Sequence, residues 1–276
     1  MGELDDAHAL ITGGGTGIGR GIATALARDG ATVTLAARRR DVLEAGAAKV
    51  RTAVPGAEVR VIECDVTVAE QVEAAVAHAV GPDGRLDIAV ANAGSAVPGP
   101  FLLLDDAAWR FCCELNIIGT ASTFRHAAVA MRERGGSLVA ISTAASSAPE
   151  VSMAAYTATK AAVDMMVKAA AWELGAFGIR VNSILPGYVP TEGTEGSFTE
   201  ELAADLLERS ALKRSGTPAD IGEMVVHLSS PAGSWITGQV IGVDGGMTAQ
   251  PMADLTSISR RLYGDDAVDD ALGRRR

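Results

Sequence analysis

Apolar residues occur along the chain in two alternating patterns. Short apolar runs, typical of strands buried on both faces, are separated by longer stretches in which apolar positions recur every three or four residues, as on amphipathic helices. Strands are predicted over residues 8–12, 31–37, 58–63, 86–91, 137–142, 180–185 and 239–243. Helices are predicted over residues 17–28, 42–53, 68–80, 105–134, 154–175 and 218–229. Seven apolar strands that alternate with helices predict an α/β fold, a doubly wound parallel sheet with helices on both faces.

No linker rich in Pro, Gly and Ser interrupts this pattern, so we expect one domain over residues 1–250. Asp105 and Thr217 are expected to cap the helices that follow them. Residues 190–212 break the alternation and predict a loop with a short helix, of a length typical of lids and binding elements. The tail, residues 251–276, carries five Asp and five Arg. It is expected to be either a disordered, neutral extension, which we favour, or a docked arm.

Composition narrows the class of protein. Hydrophobic residues make up 48% of the 276 residues, which argues against disorder, and the net charge of −10 disfavours a nucleic-acid partner. No apolar run reaches membrane-spanning length, and the first eight residues are acidic where a signal peptide would be basic. The cysteines and histidines show neither a disulfide framework nor the spacing of metal ligands. We therefore expect a cytoplasmic protein with no metal, nucleic-acid or membrane partner.

A glycine-rich turn follows the first strand, in the run Thr12-Gly13-Gly14-Gly15-Thr16-Gly17-Ile18-Gly19. Glycine lets the backbone approach a ligand closely, and the free N–H groups at the start of the next helix attract phosphate. The spacing departs from the G-x-G-x-x-G fingerprint, and no Lys-Ser/Thr pair follows as in a P-loop. The turn predicts a diphosphate site, with a βα turn that binds no ligand as the alternative.

Tyr156 and Lys160 are four positions apart, which places both side chains on one face of the helix predicted over 154–175. A phenol beside an ammonium group can donate or accept a proton. A packed Tyr with an extended Lys is the alternative for an isolated pair. Together with the glycine turn, the pair indicates carbonyl–alcohol redox chemistry on a nucleotide cofactor.

With these two motifs in this order, the chain resembles the short-chain dehydrogenase/reductase family over residues 7–247. Further matching segments are Ala91-Asn92-Ala93-Gly94, Glu114-Leu115-Asn116-Ile117, Pro186-Gly187-Tyr188-Val189-Pro190-Thr191, Ile236-Thr237-Gly238-Gln239 and Val243-Asp244-Gly245-Gly246. The resemblance implies a Rossmann-like sheet of strand order 3-2-1-4-5-6-7, an NAD(P)-dependent oxidoreductase of class EC 1.1.1.-, and a homotetramer or homodimer. The two long helices, rich in Ala, would then form the faces between subunits.

The resemblance also implies roles for the side chains around the pair. Tyr156 would be the general acid in reduction and the general base in oxidation, with its pKa lowered by Lys160 and by the positive nicotinamide ring. Lys160 would also bind the nicotinamide ribose, and Asn116 would hold a water that links Lys160 to solvent. A helix Asn that bonds to nearby backbone is the alternative for Asn116.

The family's Ser, thirteen residues before the Tyr, is replaced here by Thr143. A Thr hydroxyl has the hydrogen-bonding capacity of Ser, but its β-branch stiffens χ1 and adds a methyl group. Thr143 is therefore expected to polarise the substrate oxygen, with Ser142 as the fallback if the loop register shifts. The replacement also leaves open a catalytically weak nucleotide-binding sensor.

The dinucleotide contacts implied by the resemblance fall in several segments. The glycine turn would hold the diphosphate, Thr191 the nicotinamide carboxamide and Asp65 the adenine, with a turn or N-cap role as the alternative for Asp65. The full set of expected cofactor-binding residues is Gly13, Gly15, Thr16, Gly17, Ile18, Gly19, Arg38, Asp65, Val66, Asn92, Ala93, Gly94, Tyr156, Lys160, Pro186, Gly187, Val189 and Thr191.

The end of the second strand bears on the choice of dinucleotide. An acidic side chain there would bond the ribose 2′-OH of NAD, but Ala37 occupies that position and Arg38 follows it. Because a guanidinium binds phosphate well, the sequence favours NADP over NAD. A solvated turn of three Arg, residues 38–40, is the alternative.

The sequence thus predicts an NADP(H)-dependent oxidoreductase that interconverts a ketone or aldehyde and a secondary alcohol. Phe198 and the Leu residues of 190–212, with Tyr188 and Val97, favour a small to medium apolar substrate, although some of them could instead pack that segment against the body. A 3-oxoacyl-(acyl-carrier-protein) reductase is the alternative within this class. For that substrate, Lys213, Arg214 and Arg125 would be the basic docking residues.

Overall fold

The computed structural model describes residues 2–194, 196 and 198–274. Outside the described residues lie Met1, Glu195 and Ser197 of the segment 190–212, and Arg275 and Arg276 of the tail. Within them, one sheet contains β1 His8–Thr12, β2 Thr32–Ala37, β3 Val59–Glu63, β4 Ile88–Ala91, β5 Gly136–Ile141, β6 Ile179–Pro186 and β7 Val240–Val243. All pairings are parallel, and the order is β3-β2-β1-β4-β5-β6-β7. The predicted fold class and strand order are confirmed.

Helices cover both faces of this sheet. They are α1 Gly17–Arg28, α2 Arg40–Ala53, α3 Ala69–Ala79, α4 Asp106–Cys112, α5 Gly119–Met131, α6 Ala154–Leu174, α7 Glu200–Glu208, α8 Pro218–Ser229, α9 Thr256–Tyr263 and α10 Asp265–Ala271. Apolar side chains of α1, α2 and α8 form one core with the sheet. Those of α3, α5 and α6 form a second core with its other face. Parallel strands buried on both faces explain why the sequence shows continuous apolar runs instead of alternation.

The helix predicted over 105–134 differs from the structure in one respect. Asp105 caps it as expected, because its carboxylate accepts a hydrogen bond from the Ala108 N–H at 2.9 Å. Between α4 and α5, however, the wider π-helical turn Cys113–Ile118 interrupts the α-helix and contains Asn116. Such turns are frequent at functional sites. Apolar spacing changes little over one such turn, so the sequence pattern reads as a continuous helix.

The tail differs from the expectation of a disordered extension, because α9 and α10 are both helical. Arg260 of α9 pairs with Asp265 and Asp269 of α10. Val268 is buried even though most of its neighbours are exposed. Opposite charges of the tail thus pair between the two helices through Arg260.

Two absences hold for the described part of the chain. None of its helices is long and apolar enough to cross a membrane. None of its groups of His, Cys, Asp and Glu could hold a metal ion. Cys64, Cys112 and Cys113 are free cysteines.

Candidate active site

The glycine turn connects the carboxyl end of β1 to the first residue of α1. Gly13 and Gly17 have φ angles of +64° and +52°, which side chains other than glycine rarely adopt. A side chain on Gly19 would overlap the Gly13 carbonyl oxygen. Thr16, at the N-cap of α1, has extended backbone and makes no side-chain capping bond. The first N–H groups of α1 therefore receive no hydrogen-bond acceptor from the Thr16 side chain. Together with the glycines, which let a ligand approach the backbone closely, they fit a dinucleotide diphosphate.

Asn92 ties the glycine turn to the end of β4. Its side-chain amide donates to the carbonyl oxygens of Thr12 and Gly13, at 2.9 and 3.1 Å. The Thr12 hydroxyl in return accepts from the N–H groups of Asn92 and Ala93, both at 3.1 Å. The predicted role of Asn92 in lining the cleft thus has a structural basis, since its side chain fixes the turn.

Gly94 brings the two motifs together. A Cβ atom placed on Gly94 would lie 3.2 Å from Lys160 Nζ and 3.1 Å from Asn116 Oδ1. The segment 92–94 therefore runs from the glycine turn directly to the buried end of Lys160. Residues far apart in the sequence are thereby combined in one site at the carboxyl ends of the strands, where open α/β sheets bind their ligands.

Tyr156 and Lys160 project from the same face of α6, as predicted. Lys160 Nζ lies 5.8 Å from the centre of the Tyr156 ring. The Lys160 side chain is buried, and its ammonium group donates to the carbonyl oxygen of Ile141, at the end of β5, at 2.7 Å. The ammonium position is thus set by the sheet as well as by the helix.

The protein groups around Tyr156 raise its pKa, whereas the expected lowering depends on Lys160 together with a positive nicotinamide ring. The Tyr156 side chain is half-buried. Burial by the surrounding protein raises the pKa of Tyr156 to about 12, a side-chain hydrogen bond with Thr143 lowers it, and the charge of Glu150 raises it. Desolvation of the phenolate has the largest effect on this pKa and outweighs any effect of the Lys160 ammonium group. Tyr156 is therefore protonated at neutral pH.

Burial also lowers the pKa of Lys160 to about 8, while the charge of Asp164 raises it. Asp164 lies one helical turn after Lys160, is buried, and accepts a hydrogen bond from the Ser183 hydroxyl at 2.6 Å. Sequence reasoning missed Asp164, although its i+4 spacing from Lys160 was a usable signal.

Thr143 is the hydroxyl that faces the phenol. It precedes a short 3₁₀ turn, Ala144–Ser146, and its hydroxyl oxygen accepts from the Ala145 N–H at 3.2 Å. Ser142 is buried, and its hydroxyl donates to the Lys160 carbonyl oxygen at 3.5 Å. The Ser142 hydroxyl thus points to the α6 backbone, whereas Thr143 lies beside the phenol.

Asn116 is fully buried in the π-helical turn. Its side chain exchanges two hydrogen bonds with the backbone of Ser95, both at 3.0 Å, and donates to the Thr159 hydroxyl at 3.0 Å. The Thr120 hydroxyl donates to the backbone carbonyl oxygen of Asn116 at 2.7 Å. Asn116 thus joins the segment after β4 to α6, next to Lys160.

The residues predicted for the adenosine end lie at the ends of β2 and β3. Asp65 accepts from the Thr67 N–H and hydroxyl at 3.0 and 2.7 Å, so its turn role is present. These hydrogen bonds from Thr67 lower the pKa of Asp65, and the charge of the exposed Arg38 adds to the lowering. The Val66 side chain is buried against Gly119, so only the backbone of Val66 is left to contact a ligand.

The strand β6 carries the segment predicted to face the nicotinamide. Pro186 ends this strand, the Gly187 N–H donates to Val243 of β7, and Val189 is buried in the core. Thr191 bonds to Thr194 through its N–H, its carbonyl and its hydroxyl. Its side chain packs against the position of Gly17. A cavity of about 470 Å³ beside α1 is bordered by Tyr188, Pro190, Thr191, Glu192, Thr194, Gly196 and Phe198.

Sequence reasoning also missed three charged residues at the glycine turn. Glu192 forms ion pairs with Arg20 of α1 and Lys49 of α2, and it accepts a hydrogen bond from the Gly17 N–H. No local pattern connects residues so distant in the sequence.

Comparisons with known proteins show which family and fold the chain is similar to. A family model described as Enoyl-(Acyl carrier protein) reductase matches residues 13–248. The 7alpha-hydroxysteroid dehydrogenase of Escherichia coli K12 is 33% identical over 245 residues, which cover 88% of this chain and 95% of that protein. A short-chain type dehydrogenase/reductase structure from Mycobacterium ulcerans is 37% identical, with a TM-score of 0.85 over 96% of this chain and 98% of that chain. A 7alpha-hydroxysteroid dehydrogenase structure in complex with NADH and 7-oxo glycochenodeoxycholic acid is 33% identical, with a TM-score of 0.83 over 88% of this chain and 94% of that chain.

Proposed function

Because the chain belongs to the short-chain dehydrogenase/reductase family of NAD(P)-dependent oxidoreductases, we propose that it interconverts a ketone or aldehyde and a secondary alcohol with NADP(H), using Tyr156 as general acid and base. One observation carries this proposal. The Tyr156 phenol has Thr143 beside it, and the neighbouring Lys160 is connected through Gly94 to a glycine turn that fits a diphosphate.

At neutral pH the Tyr156 phenol carries its proton, as an ordinary tyrosine does, and this state suits the reduction direction. The protonated phenol is ready to give its proton to a carbonyl oxygen as that oxygen becomes an alcohol. Thr143 donates a second hydrogen bond to the same oxygen, and the Lys160 ammonium adds positive charge behind the phenol. A bound nicotinamide supplies or accepts the hydride. The glycine turn, Thr191 and Lys160 would hold this dinucleotide, and Asn116 would hold a water that links Lys160 to solvent.

The experiment that tests the function is a panel of ketones, aldehydes and secondary alcohols assayed by the absorbance of the reduced nicotinamide. Turnover of at least one carbonyl–alcohol pair is expected. Tight dinucleotide binding with no turnover across a broad panel would favour the second candidate, a nucleotide-binding sensor. The replacement of the family's Ser by Thr143 is the observation behind that candidate.

Replacing Thr143 by Val should lower kcat by about 100-fold, because the methyl in place of the hydroxyl removes one hydrogen-bond donor to the reacting oxygen. Thr143→Ser, which keeps the hydroxyl, should remain near the wild-type rate. Steady-state kinetics on the best panel substrate provide the measurement. A Val variant that turns over as fast as the Ser variant would remove Thr143 from the reaction.

NADP is proposed over NAD because Ala37 ends β2 without an acidic side chain and Arg38 is exposed beside Asp65. Within the Arg turn, Arg40 pairs with Glu44 at 3.0 Å, and Arg39 is the N-cap residue of α2. Arg38 is thus the guanidinium best placed for a 2′-phosphate. The related hydroxysteroid dehydrogenase bound to NADH keeps NAD as the alternative.

We expect Arg38→Gln to weaken NADPH binding roughly tenfold or more, because a charge-assisted hydrogen bond to phosphate is lost. NADH binding should change little, since NADH has no 2′-phosphate. Dissociation constants for both dinucleotides, measured by nicotinamide fluorescence, check this, with Arg39→Gln as the charge-matched control. Equal effects of Arg38→Gln on the two dinucleotides would argue against NADP specificity.

A small to medium apolar substrate is proposed from two aromatic side chains that follow β6. Tyr188 and Phe198 pack edge to face, with ring centres 5.1 Å apart, on the border of the 470 Å³ cavity. The carrier-protein alternative has less support, because Arg214 and Lys213 are paired with Asp220 and Glu208. These ion pairs reduce the positive charge that an acidic carrier protein would need.

The proposal extends to a homotetramer or homodimer. Large apolar side chains are exposed on α4, α6 and the turns that follow them, among them Phe111, Ile118, Met165, Phe177 and Trp172, which is 90% exposed. Exposed apolar groups of this size on neighbouring helices are typical of protein interfaces. The exposed position of Trp172 supports a role as an interface anchor.

A cytoplasmic location is proposed with it. It is supported by the three free cysteines. Reduced thiols without disulfides are typical of proteins from reducing compartments.

A further inference from the structure

The carboxylate of Glu192 lies at the start of α1, where the diphosphate of a dinucleotide is proposed to bind. Its Oε2 accepts a hydrogen bond from the Gly17 N–H at 3.3 Å. Its Oε1 lies 2.9 Å from Arg20 Nη1 and 3.1 Å from Lys49 Nζ. One carboxylate thus contacts a helix N–H group, a guanidinium and an ammonium, which are groups that also bind phosphate.

These contacts hold Glu192 in its charged form. The hydrogen bond from Arg20, with further contributions from Lys49 and Gly17, lowers the pKa of Glu192 to about 2. Next to it, the Thr191 side chain packs against Gly17, so the backbone of this segment lies against the glycine turn. A negative charge is therefore present at the start of α1 throughout the neutral pH range.

We propose that Glu192 competes with the cofactor diphosphate for Gly17, Arg20 and Lys49, and thereby sets the affinity for the dinucleotide. This inference rests on the proposed function. A diphosphate and the Glu192 carboxylate cannot take the same N–H group, and like charges this close repel each other. Glu192 must leave these partners when a dinucleotide binds.

The competition should weaken dinucleotide binding without preventing it. The side chains of Glu192, Arg20 and Lys49 are 44%, 22% and 61% exposed, and exposed ion pairs contribute little to stability. A diphosphate carries two negative charges and more acceptor oxygens than a carboxylate. It therefore displaces Glu192, and Arg20 and Lys49 become phosphate contacts after the exchange.

The test is the dissociation constant of NADPH for wild type and Glu192→Gln, measured by nicotinamide fluorescence. Gln keeps the size of the side chain and removes its charge, so we expect NADPH to bind roughly tenfold more tightly. Inorganic diphosphate, measured by calorimetry, should also bind Glu192→Gln more tightly than wild type. Adenosine 2′-monophosphate, which lacks the diphosphate, should bind both proteins equally.

Glu201→Gln is the matched control, because Glu201 is an exposed carboxylate in the first turn of α7 in the same segment. It makes the same change in net charge and should leave NADPH affinity near the wild-type value. Unchanged or weaker NADPH binding in Glu192→Gln, with wild type still binding NADPH and turning over substrate, would overturn this inference and leave the proposed function intact. Failure of every protein to bind NADPH or NADH would overturn both.

Discussion

Replacing Tyr156 by Phe is expected to reduce turnover about 1000-fold, within the range that general acid catalysis contributes, while leaving dinucleotide affinity unchanged. The Phe ring keeps the packing of a half-buried side chain and removes only the hydroxyl that carries the proton. The kcat for carbonyl reduction, together with the NADPH dissociation constant, measures the two effects separately.

Tyr263→Phe is the control for this substitution, because Tyr263 is exposed at the end of α9, in the tail. It should turn over at the wild-type rate. If the Tyr156→Phe enzyme also reduced carbonyls at the wild-type rate, proton transfer would have to come from another group. The proposed function would then lose its central residue.

Lys160→Met should lower kcat by about 100-fold or more and weaken dinucleotide binding, since it removes the ammonium group beside Tyr156 and the contact that this group is proposed to make with the ribose. Met has a similar length, so the buried space stays filled. Folding should be retained, because burial lowers the pKa of Lys160 and thus disfavours its charged form. Lys168→Met, on an exposed position of the same helix, is the matched control.

The same substitution predicts a change in pH dependence. The pKa of Lys160 is about 8, so wild-type reduction should decline as pH rises through 8 and the ammonium group loses its proton. Between pH 8 and about 10.5 the unfolded chain binds this proton and the folded chain does not, so wild-type stability should rise with pH there. The Met variant should show neither effect. A Met variant with the wild-type kcat and the wild-type pH profile would contradict the role of Lys160.

Sequence reasoning predicted the strands and helices well because their signals are local. The apolar run at β1 and the capping residues Asp105 and Thr217 act within a few residues of their position. The Tyr156–Lys160 pair was predictable for the same reason, since helical geometry alone places residues four apart on one face. The motif order then indicated the family and, with it, the strand order.

Local patterns failed where the outcome depends on burial or on distant contacts. The high pKa of Tyr156 follows from desolvation by surrounding protein, which no spacing in the sequence reports. The choice between Ser142 and Thr143 depended on which hydroxyl the end of β5 directs toward the phenol. The π-helical turn around Asn116 is visible only in the hydrogen bonds that Asn116 and Thr120 make.

The amino-acid order by itself thus determined which segments form strands and helices, because backbone geometry sets the spacing within an element. It also supplied the side chains that are proposed to carry proton and phosphate chemistry. Only the tertiary structure decided how those groups are charged and what they contact. Glu192 meets Gly17 across 175 positions of the chain. Contacts of that kind, and the desolvation that tunes Tyr156 and Lys160, arise from packing helices on the sheet, and packing is a property of the whole fold.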